Sequence, residues 1–473
     1  MTGLYRTETD FLGEIHLPLG TLYGIQTARA LENFPITGLR LSQFPELVNA
    51  LVMVKKACAL TNRDLGVIDS ERANAIIAAC DAILSGRHHE AFVVDMMQGG
   101  AGTSTNMNAN EVIANLALSI LGHPAGDYRH VHPNDHVNLS QSTNDMYPTA
   151  LRLAVLAQCV PLIEAQAHLQ CAFENKALEF STILKVGRTQ LQDAVPMTLG
   201  MEFAAFAATI QSDIAHIAQQ GDLLKTMNLG GTAIGTGINA PPGYSKLVIQ
   251  RLSEISGFTL STAPNLIEAA SDVGALVSFS GALKRTAIKL SKISNDLRLL
   301  SSGPRAGLDE IRLPPVQPGS SIMPGKVNPV IPEVVNQVAY QVIGNDSTIT
   351  LAAEAGQLQL NAMEPVMIFN ILQSMRILTQ AIKVLADRCV AGIEANVERC
   401  NSLLDGTTIV STALVPLLGY EEAARIAKLA ITRNQTVRET VQDLGIMTSA
   451  KFDEIRRIAY SFSPTIDSKR QQP

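Results

Sequence analysis

One long helical period, in the second half of the chain, constrains the fold more than any other feature of the sequence. Apolar residues recur there every three or four positions, at Leu276, Phe279, Leu283, Ala287, Leu290, Ile293, Leu297 and Leu300. Four basic residues lie off this stripe, at Lys284, Arg285, Lys289 and Lys292. The pattern predicts an amphipathic helix of many turns that buries one face.

Three further stretches have the same helical character. They are residues 150–185, with an interruption at Pro161, residues 334–342 and residues 366–386. Signals for β-strands are few, and long helices joined by shorter loops favour a helical bundle over alternating strands and helices. The sequence therefore predicts a mainly all-α fold.

Shifts in composition divide the chain into three parts. Residues 1–140 are rich in loops and shorter helices, and we expect an N-terminal domain there. Residues 141–395 hold the long helices of a central helical-bundle domain, and residues 396–473 are predicted to form a small C-terminal helical domain.

The charge content bears on possible partners. The chain has 37 Lys and Arg against 43 Asp and Glu, a net charge of −6, and no basic run, so nucleic-acid binding is not expected. Charged residues make up 17% of the chain, against a usual value of about 25%. So few charges leave less polar surface than a monomer of this size would use, which indicates extensive contact between subunits.

Compartment signals favour the cytoplasm. No stretch approaches about 18 consecutive apolar residues, so we expect no transmembrane helix and no membrane partner. Residues 1–14 include three acids and lack the apolar region of a signal peptide. The six cysteines are far apart, without a C-x-x-C pair, which is typical of thiols in a reducing compartment. The dense histidine group His130, His132 and His136 is not expected to bind a metal.

A stretch rich in proline and glycine interrupts the helical pattern from Ser301 to Gly325. It contains Gly303, Pro304, Gly307, Pro314, Pro315, Pro318, Gly319, Pro324 and Gly325. No helix tolerates that density. An irregular loop of about 25 residues is uncommon in a compact protein and is often a lid or a binding loop. A solvated connector is the alternative, and the polar residues of the loop favour a functional role.

Three segments share one design, in which small polar residues precede the start of a helix. They are residues 99–106, residues 140–145 and residues 319–329. In the third segment, Asn328 suits an N-cap and Pro329 suits the first helical position.

Helix starts bind anions, because their N–H groups are unpaired and carry a partial positive charge. Three of them, with Lys326 and no acidic residue between Gly319 and Pro332, suit a small carboxylate ligand. Each segment alone is also compatible with an ordinary capped helix. A bound phosphate is the weaker alternative, since neither G-x-x-x-x-G-K-[ST] nor a G-x-G-x-x-G after a strand is present.

These segments resemble a known family. The run of residues 319–328 resembles the signature of the aspartase/fumarase superfamily of lyases, and residues 102–106, 142–145 and 187–189 resemble its other active-site blocks. The resemblance extends from about Thr9 to Gly445. It implies a three-domain fold whose central helices form the core of a homotetramer, with each active site shared between three subunits.

Within the superfamily, residues 187–196, 354–361 and 363–366 resemble the bacterial aspartases, which deaminate L-aspartate to fumarate. Fumarases have a histidine where Gln190 stands, held by a glutamate that matches Glu333. Because Gln190 cannot act as an acid or base, it favours loss of ammonia over hydration. A fumarate hydratase or another fumarate-forming lyase stays open as an alternative, as does a structural protein that keeps the lyase fold without activity.

Two details depart from the aspartase pattern. The run from His132 to Asp135 resembles a secondary dicarboxylate site of fumarases. Val415-Pro416 stands where the family usually has Asn-Pro, which leaves the role of the C-terminal domain open.

The resemblance also implies roles at the site. Thr103, Ser142, Thr143 and Ser321 would face the β-carboxylate, Lys326, Asn328 and Thr189 would hold the α-carboxylate, and Asn144 and Gln190 would contact the amino group. Asn106 and Glu333 would support them. Ser320 is the base by resemblance, whereas the residues alone also allow it to be a substrate hydrogen-bond donor. No cofactor and no metal ligand are implied, and the sequence does not report activation by Mg²⁺.

Overall fold

The computed structural model describes residues 5–459, without the side chains of residues 457–459, and confirms the prediction of a mainly helical fold. The helices are α1 (Ile25–Asn33), α2 (Pro45–Asp64), α3 (Ser70–Leu84), α4 (Thr103–Ile120), α5 (Thr143–Glu179), α6 (Leu199–Leu223), α7 (Thr232–Gly235), α8 (Tyr244–Ser256), α9 (Leu266–Ala269), α10 (Gly274–Leu300), α11 (Val330–Glu354), α12 (Glu364–Arg388), α13 (Val397–Gly406), α14 (Val415–Leu418), α15 (Tyr420–Arg433), α16 (Val437–Asp443) and α17 (Ser449–Ala459).

Among the described residues, eight strands pair into four two-stranded sheets. The strands are β1 (Tyr5–Asp10), β2 (Gly13–Pro18), β3 (Leu184–Thr189), β4 (Gln192–Thr198), β5 (Thr226–Met227), β6 (Ser261–Thr262), β7 (Ile311–Arg312) and β8 (Glu394–Ala395). The pairs β1–β2, β3–β4 and β7–β8 are antiparallel, and β5–β6 is parallel. Such small ribbons connect helices rather than build a core.

The long period predicted around Leu276–Leu300 is helix α10, and every residue of its apolar stripe is buried. The predicted interruption at Pro161 is wrong, because α5 runs unbroken through Pro148 and Pro161. A proline removes one backbone hydrogen bond and kinks a helix, but packing on both sides can hold the helix together. The same prediction extended α5 too far, since residues from Leu184 onward form β3.

The described chain forms two compact units, each assembled from separate stretches. Unit 1 comprises residues up to Glu164 with Ala215–Ala287 and Ala339–Thr379, and unit 2 comprises Ala165–Ile214, Ile288–Val338 and residues from Gln380 onward. The boundaries fall inside the five longest helices. The predicted three-part division follows the sequence rather than spatial contacts, and stays a prediction.

Unit 1 is built on α2, which packs against α3 and α8, while α3 also packs against α4. In unit 2 the C-terminal helices surround one end of β3. Their shared core contains Val186, Leu404, Val410, Leu414, Ala423, Ile426, Ala430, Val437, Val441 and Phe452. Val415, at the departure from the family pattern, packs against this core at the start of α14.

Helix α5 is long and apolar enough to cross a membrane by length and composition alone. However, 72% of its most apolar window is buried inside the protein, as for the core helix of a globular fold.

Candidate active site

The start of α5 carries the second of the three predicted segments, and a buried carboxylate fixes it. Asp145 accepts hydrogen bonds from the backbone N–H groups of Ser142 (2.8 Å), Gly230 (2.8 Å) and Thr232 (3.2 Å). Burial raises the pKa of Asp145 to about 6, against the lowering effect of these three donors. The carboxylate therefore joins the start of α5 to the loop before α7.

Asn144 is held by the loop before α7 and by α7 itself. Its side-chain amide donates to the Ala233 carbonyl (2.7 Å), and the Asn228 amide donates to the Asn144 carbonyl (3.0 Å). Thr232 and Ala233 have positive φ angles of 35° and 46°, a strained conformation for residues other than glycine. Strained backbone of this kind persists only where the surrounding structure enforces it. Here the strained residue Ala233 accepts the hydrogen bond that holds the predicted site residue Asn144.

A buried lysine that the sequence analysis missed links the first and second segments. Lys55, in α2, is fully buried and donates to Asn106 Oδ1 (2.7 Å), Asn138 Oδ1 (2.9 Å) and Gln141 Oε1 (2.8 Å). Burial lowers the pKa of Lys55 to about 7. Three acceptors match the three N–H groups of an ammonium ion. Its spacing within the apolar run of α2 offered no signal of this role.

Asn106 connects this network to the predicted ligands. Its amide donates to Thr143 Oγ1 (3.0 Å), so α4 and the start of α5 meet through their site residues. Helix α4 begins at Thr103, earlier than predicted, and Gly102 before it has a φ of 85°. A Cβ on Gly102 would lie 2.4 Å from the ring of Tyr147, so only glycine fits there.

Unit 1 thus brings together five of the predicted site residues: Thr103, Asn106, Ser142, Thr143 and Asn144. Thr103 Oγ1 donates to the Gly100 carbonyl (2.7 Å), and Ser142 Oγ accepts from the Asn144 N–H (3.2 Å). The starts of α4 and α5, which carry neutral polar groups, therefore meet here, and their use as an anion site stays a prediction.

In unit 2, the predicted residues Thr189 and Gln190 lie at the tip of the β3–β4 hairpin. The two-residue loop, Gln190-Leu191, has φ angles of 53° and 60°. Two positive φ angles define a type I′ turn, which favours Asn-Gly and penalises Gln-Leu. Residues 187–196, a polar segment between two helical runs, are compatible with a turn from the sequence, but Gln190-Leu191 is an unusual pair for this turn type.

A buried ion cluster anchors this hairpin. Arg188 donates two hydrogen bonds to Glu310 (2.9 and 3.1 Å), and Lys185 lies 3.0 Å from the same carboxylate. Glu310 is fully buried. Bidentate pairing between a guanidinium and a carboxylate fixes the relative orientation of the two groups. The strand that leads to Gln190 is therefore held in place by a buried ion pair.

The predicted irregular loop between α10 and α11 is confirmed. Its described residues contain one short strand, β7, and otherwise turns and bends. Ser320 Oγ accepts hydrogen bonds from the backbone N–H groups of Ile322 (3.2 Å) and Met323 (2.9 Å). A depression of about 550 Å³ beside it is lined by Ser320, Lys326 and their neighbours. Ser321 and Lys326 are exposed.

Two hydrogen bonds close the base of this loop. Gly319 N–H donates to the Lys326 carbonyl (2.8 Å), and the Asn328 amide donates to the Gly319 carbonyl (2.6 Å). The N-cap predicted for Asn328 is therefore wrong: α11 begins at Val330, and the Asn328 side chain closes the loop instead of capping the helix. Glu333 lies half-buried in the first turn of α11.

The region of His132 holds a cavity of about 390 Å³ in unit 1. Its lining includes Glu8, Asp10 and Glu111 besides His132. The His132 ring nitrogen Nδ1 accepts from the backbone of the following turn, at Asn134 N–H (3.1 Å). Carboxylates along the wall disfavour a dicarboxylate ligand, in contrast to the resemblance of residues 132–135 to a secondary dicarboxylate site.

Comparisons with known proteins cover nearly the whole chain. A family model described as "Lyase" matches residues 13–344, and one described as "Fumarase C C-terminus" matches residues 410–459. The latter match includes the divergent Val415-Pro416.

Two curated relatives named aspartate ammonia-lyase illustrate the similarity. The protein from Pseudomonas fluorescens is 56% identical over 463 residues, which is 98% of this chain and 97% of the relative. The protein from Escherichia coli (strain K12) is 51% identical over 471 residues, 99% of this chain and 98% of the relative.

Two solved structures have the same fold. A "fumarate lyase:delta crystallin from Brucella melitensis bound to cobalt" matches with 58% identity and a TM-score of 0.94, covering 96% of this chain and 100% of that one. A class II fumarase from Schistosoma mansoni matches with 36% identity and a TM-score of 0.89, covering 97% and 100%. The chain is therefore a member of the aspartase/fumarase superfamily of lyases.

Proposed function

We propose that the chain is an aspartate ammonia-lyase, a carbon–nitrogen lyase that reversibly converts L-aspartate into fumarate and ammonia. Relatives that carry this name are 51–56% identical over nearly the full length. The observation that carries the proposal within the superfamily is Gln190, on the strained tip of an anchored hairpin. An amide there can contact an amino group but cannot exchange a proton with water in a hydration reaction.

The chemical difficulty of this reaction is the acidity of the β-carbon. A base removes its proton, and the electron pair passes into the adjacent carboxylate, which becomes a doubly charged aci-carboxylate. That pair then forms the double bond as the carbon–nitrogen bond breaks, and the protonated amino group leaves as ammonia. Stabilising the transient charge is the main catalytic task.

Neutral donors at helix starts suit this task. Thr103, Ser142 and Thr143 stand at the positive ends of α4 and α5, and we assign them, with Ser321, to the β-carboxylate. Thr143 Oγ1 and Ser142 Oγ accept hydrogen bonds from Asn106 and the Asn144 N–H, which leaves their O–H groups free for the carboxylate. Thr103 Oγ1 donates to the Gly100 carbonyl and would have to turn its O–H toward the substrate. The proposed contacts to the α-carboxylate are Lys326, Asn328 and Thr189, and those to the amino group are Asn144 and Gln190.

Ser320 is proposed as the base. A serine alkoxide needs strong local stabilisation, and two backbone N–H groups already point at Ser320 Oγ. Hydrogen bonds to a charged form lower the cost of forming that form. The ammonium group of Lys326 in the same loop adds positive charge. Closure of the loop over substrate would exclude water, in keeping with a lid.

We further propose a cytoplasmic homotetramer whose active sites each draw on three subunits, without a cofactor. Large apolar side chains are exposed along the long helices in the single chain, including Ile288 (50%), Tyr340 (60%) and Leu351 (70%). Exposed apolar side chains on these helices, together with the low charge content of the chain, support association between subunits.

An absorbance assay for fumarate tests the proposed reaction. The protein is given L-aspartate or L-malate, with and without Mg²⁺, and ammonia is measured in parallel. Equal amounts of fumarate and ammonia from L-aspartate, with no turnover of L-malate, are expected. Turnover of L-malate alone would replace the proposal with fumarate hydratase, and turnover of neither substrate would contradict both.

A further inference from the structure

The turn that follows α4 brings together two histidines and a carboxylate that the proposed reaction does not use. His123, Asp127 and His130 each offer a ligand atom, and these atoms lie within 4.8 Å of one another. The two imidazole rings are stacked, with centroids 3.6 Å apart and planes inclined by 11°. All three residues are partly exposed, so an ion could reach them from solvent.

The backbone of this turn is fixed by its own hydrogen bonds. Helix α4 ends in a Schellman motif, with Gly122 at a φ of 78° and His123 N–H bonded to the Leu118 carbonyl (2.8 Å). His130 N–H then donates to the Asp127 carbonyl (3.1 Å). Arg72 Nε donates to the His130 carbonyl (2.5 Å) from α3. The backbone that carries the three side chains is therefore held by hydrogen bonds that do not depend on a bound ion.

The position also favours a cation. The carboxyl end of a helix carries a partial negative charge, and His123 stands just beyond that end of α4. Asp127 Oδ2 lies 3.7 Å from His130 Nε2. Arg129 donates to both oxygens of Asp127 (2.8 and 3.1 Å). The cation that this carboxyl group now holds is therefore the exposed guanidinium of Arg129.

We propose that His123, Asp127 and His130 form a binding site for a divalent transition-metal ion of the Zn²⁺ type. Imidazole nitrogen and carboxylate oxygen are typical zinc ligands, and three of them leave a fourth position for water. Tetrahedral ligands lie about 3.4 Å apart, so the side chains must close by roughly an ångström. Mg²⁺ prefers oxygen ligands and is not expected here.

The neighbouring histidines do not join this site. His132 Nδ1 accepts from the backbone of its own turn, and His136 Nδ1 accepts from the His132 N–H (2.7 Å). The dense group noticed in the sequence therefore contributes one ligand, His130. The other ring, His123, is seven positions earlier and comes close only through the turn.

The test is metal binding to the full-length chain after treatment with a chelator. Calorimetric titration with Zn²⁺ is expected to give one ion per chain, and Co²⁺ is expected to give the visible absorption of a tetrahedral site. His123→Asn and His130→Asn are each expected to weaken Zn²⁺ binding at least about tenfold. His88→Asn is the matched control at another partly exposed histidine and should leave binding unchanged.

The variant Arg129→Gln is expected to change Zn²⁺ affinity in the opposite direction to the two histidine variants. Removing the guanidinium frees the Asp127 carboxylate and takes away a positive charge, so Zn²⁺ affinity is expected to rise. Absence of stoichiometric Zn²⁺ binding by the unmodified chain, or equal binding by the two ligand variants, would overturn the proposal. Because none of these residues belongs to the proposed active site, the aspartate assay can fail or succeed independently of this result.

Discussion

Ser320, the proposed base, accepts hydrogen bonds from two backbone N–H groups at its hydroxyl oxygen. We predict that Ser320→Ala lowers kcat by at least about 10³-fold, a barrier increase of about 4 kcal/mol, because no other group then removes the proton. Steady-state rates with L-aspartate measure this, and circular dichroism checks the fold. Ser271→Ala, at a partly exposed serine outside the proposed site, is the control. A near-normal rate in Ser320→Ala would assign the base elsewhere.

Gln190 combines an unfavourable backbone with a side chain that we assign to the amino group. Gln190→Asn keeps the amide and suits the left-handed backbone, but its side chain is one methylene shorter. We expect kcat/KM for L-aspartate to fall about 10²-fold, while thermal stability is unchanged or slightly higher. The matched control is Leu191→Asn, at the other strained turn position, which should keep full activity. Equal activity of Gln190→Asn and Leu191→Asn would show that the Gln190 side chain does not contact the substrate.

Glu364, at the start of α12, gives a dependence of stability on pH. Burial raises the pKa of its carboxyl to about 8, from 4.5 when unfolded, with Arg152 nearby lowering it. Between these values the folded chain holds a proton that the unfolded chain has lost, so this group makes stability fall as pH rises. We expect the melting temperature of Glu364→Gln to exceed that of the parent chain increasingly between pH 5 and pH 8.

The control for this pH series is Glu254→Gln. Arg251 holds the pKa of the Glu254 carboxyl below its usual range, so its charge does not change over the same interval. Its effect on the melting temperature should therefore be the same at each pH. A constant difference for Glu364→Gln would mean that Glu364 is already ionised in the folded chain.

At the scale of elements, the loop between α10 and α11 depends on close contact at its base. A Cβ on Gly319 would lie 2.6 Å from the Lys326 carbonyl oxygen and 2.8 Å from the Asn328 nitrogen. Gly319→Ala should open this base, displace Ser320 and lower kcat/KM about 10²-fold, with little change in melting temperature. Gly325→Ala has open space around its Cβ but a φ of 77°. It should cost about 1 kcal/mol of local strain and less activity. If Gly325→Ala lost more activity than Gly319→Ala, the close contact at the base of the loop would not be what positions Ser320.

At the scale of the whole molecule, the proposed sharing of each active site between subunits predicts that two inactive variants can complement each other. Ser320→Ala and Asn144→Ala are each expected to be nearly inactive, yet mixed tetramers should regain roughly a quarter of the parent activity if the two residues come from different subunits. The variants are unfolded together, refolded and assayed, with each refolded alone as the control. No recovery, or an active monomer in sedimentation, would contradict the shared site.

The helical character of the fold and the position of its long irregular loop could be predicted from the sequence, because both depend on residues that are close together in the chain. The stripe from Leu276 to Leu300 has to be buried, and proline and glycine exclude a helix after Ser301. Small polar residues before a helix start also predicted N–H donors that are free for an anion, and the use of these segments as a site stays a prediction. Two local predictions were wrong. Pro161 does not interrupt α5, because packing outweighs the local effect of the proline, and the Asn328 amide closes a loop instead of capping a helix.

The sequence by itself determined the helical stripes, the irregular loop and the polar segments, because each depends on neighbours a few positions away. Only the tertiary structure decided how those segments are held. Lys55 reaches Asn106 across 51 positions, and Arg188 reaches Glu310 across 122. A buried charge is costly unless acceptors surround it, and such acceptors are assembled only when distant parts of the chain pack together.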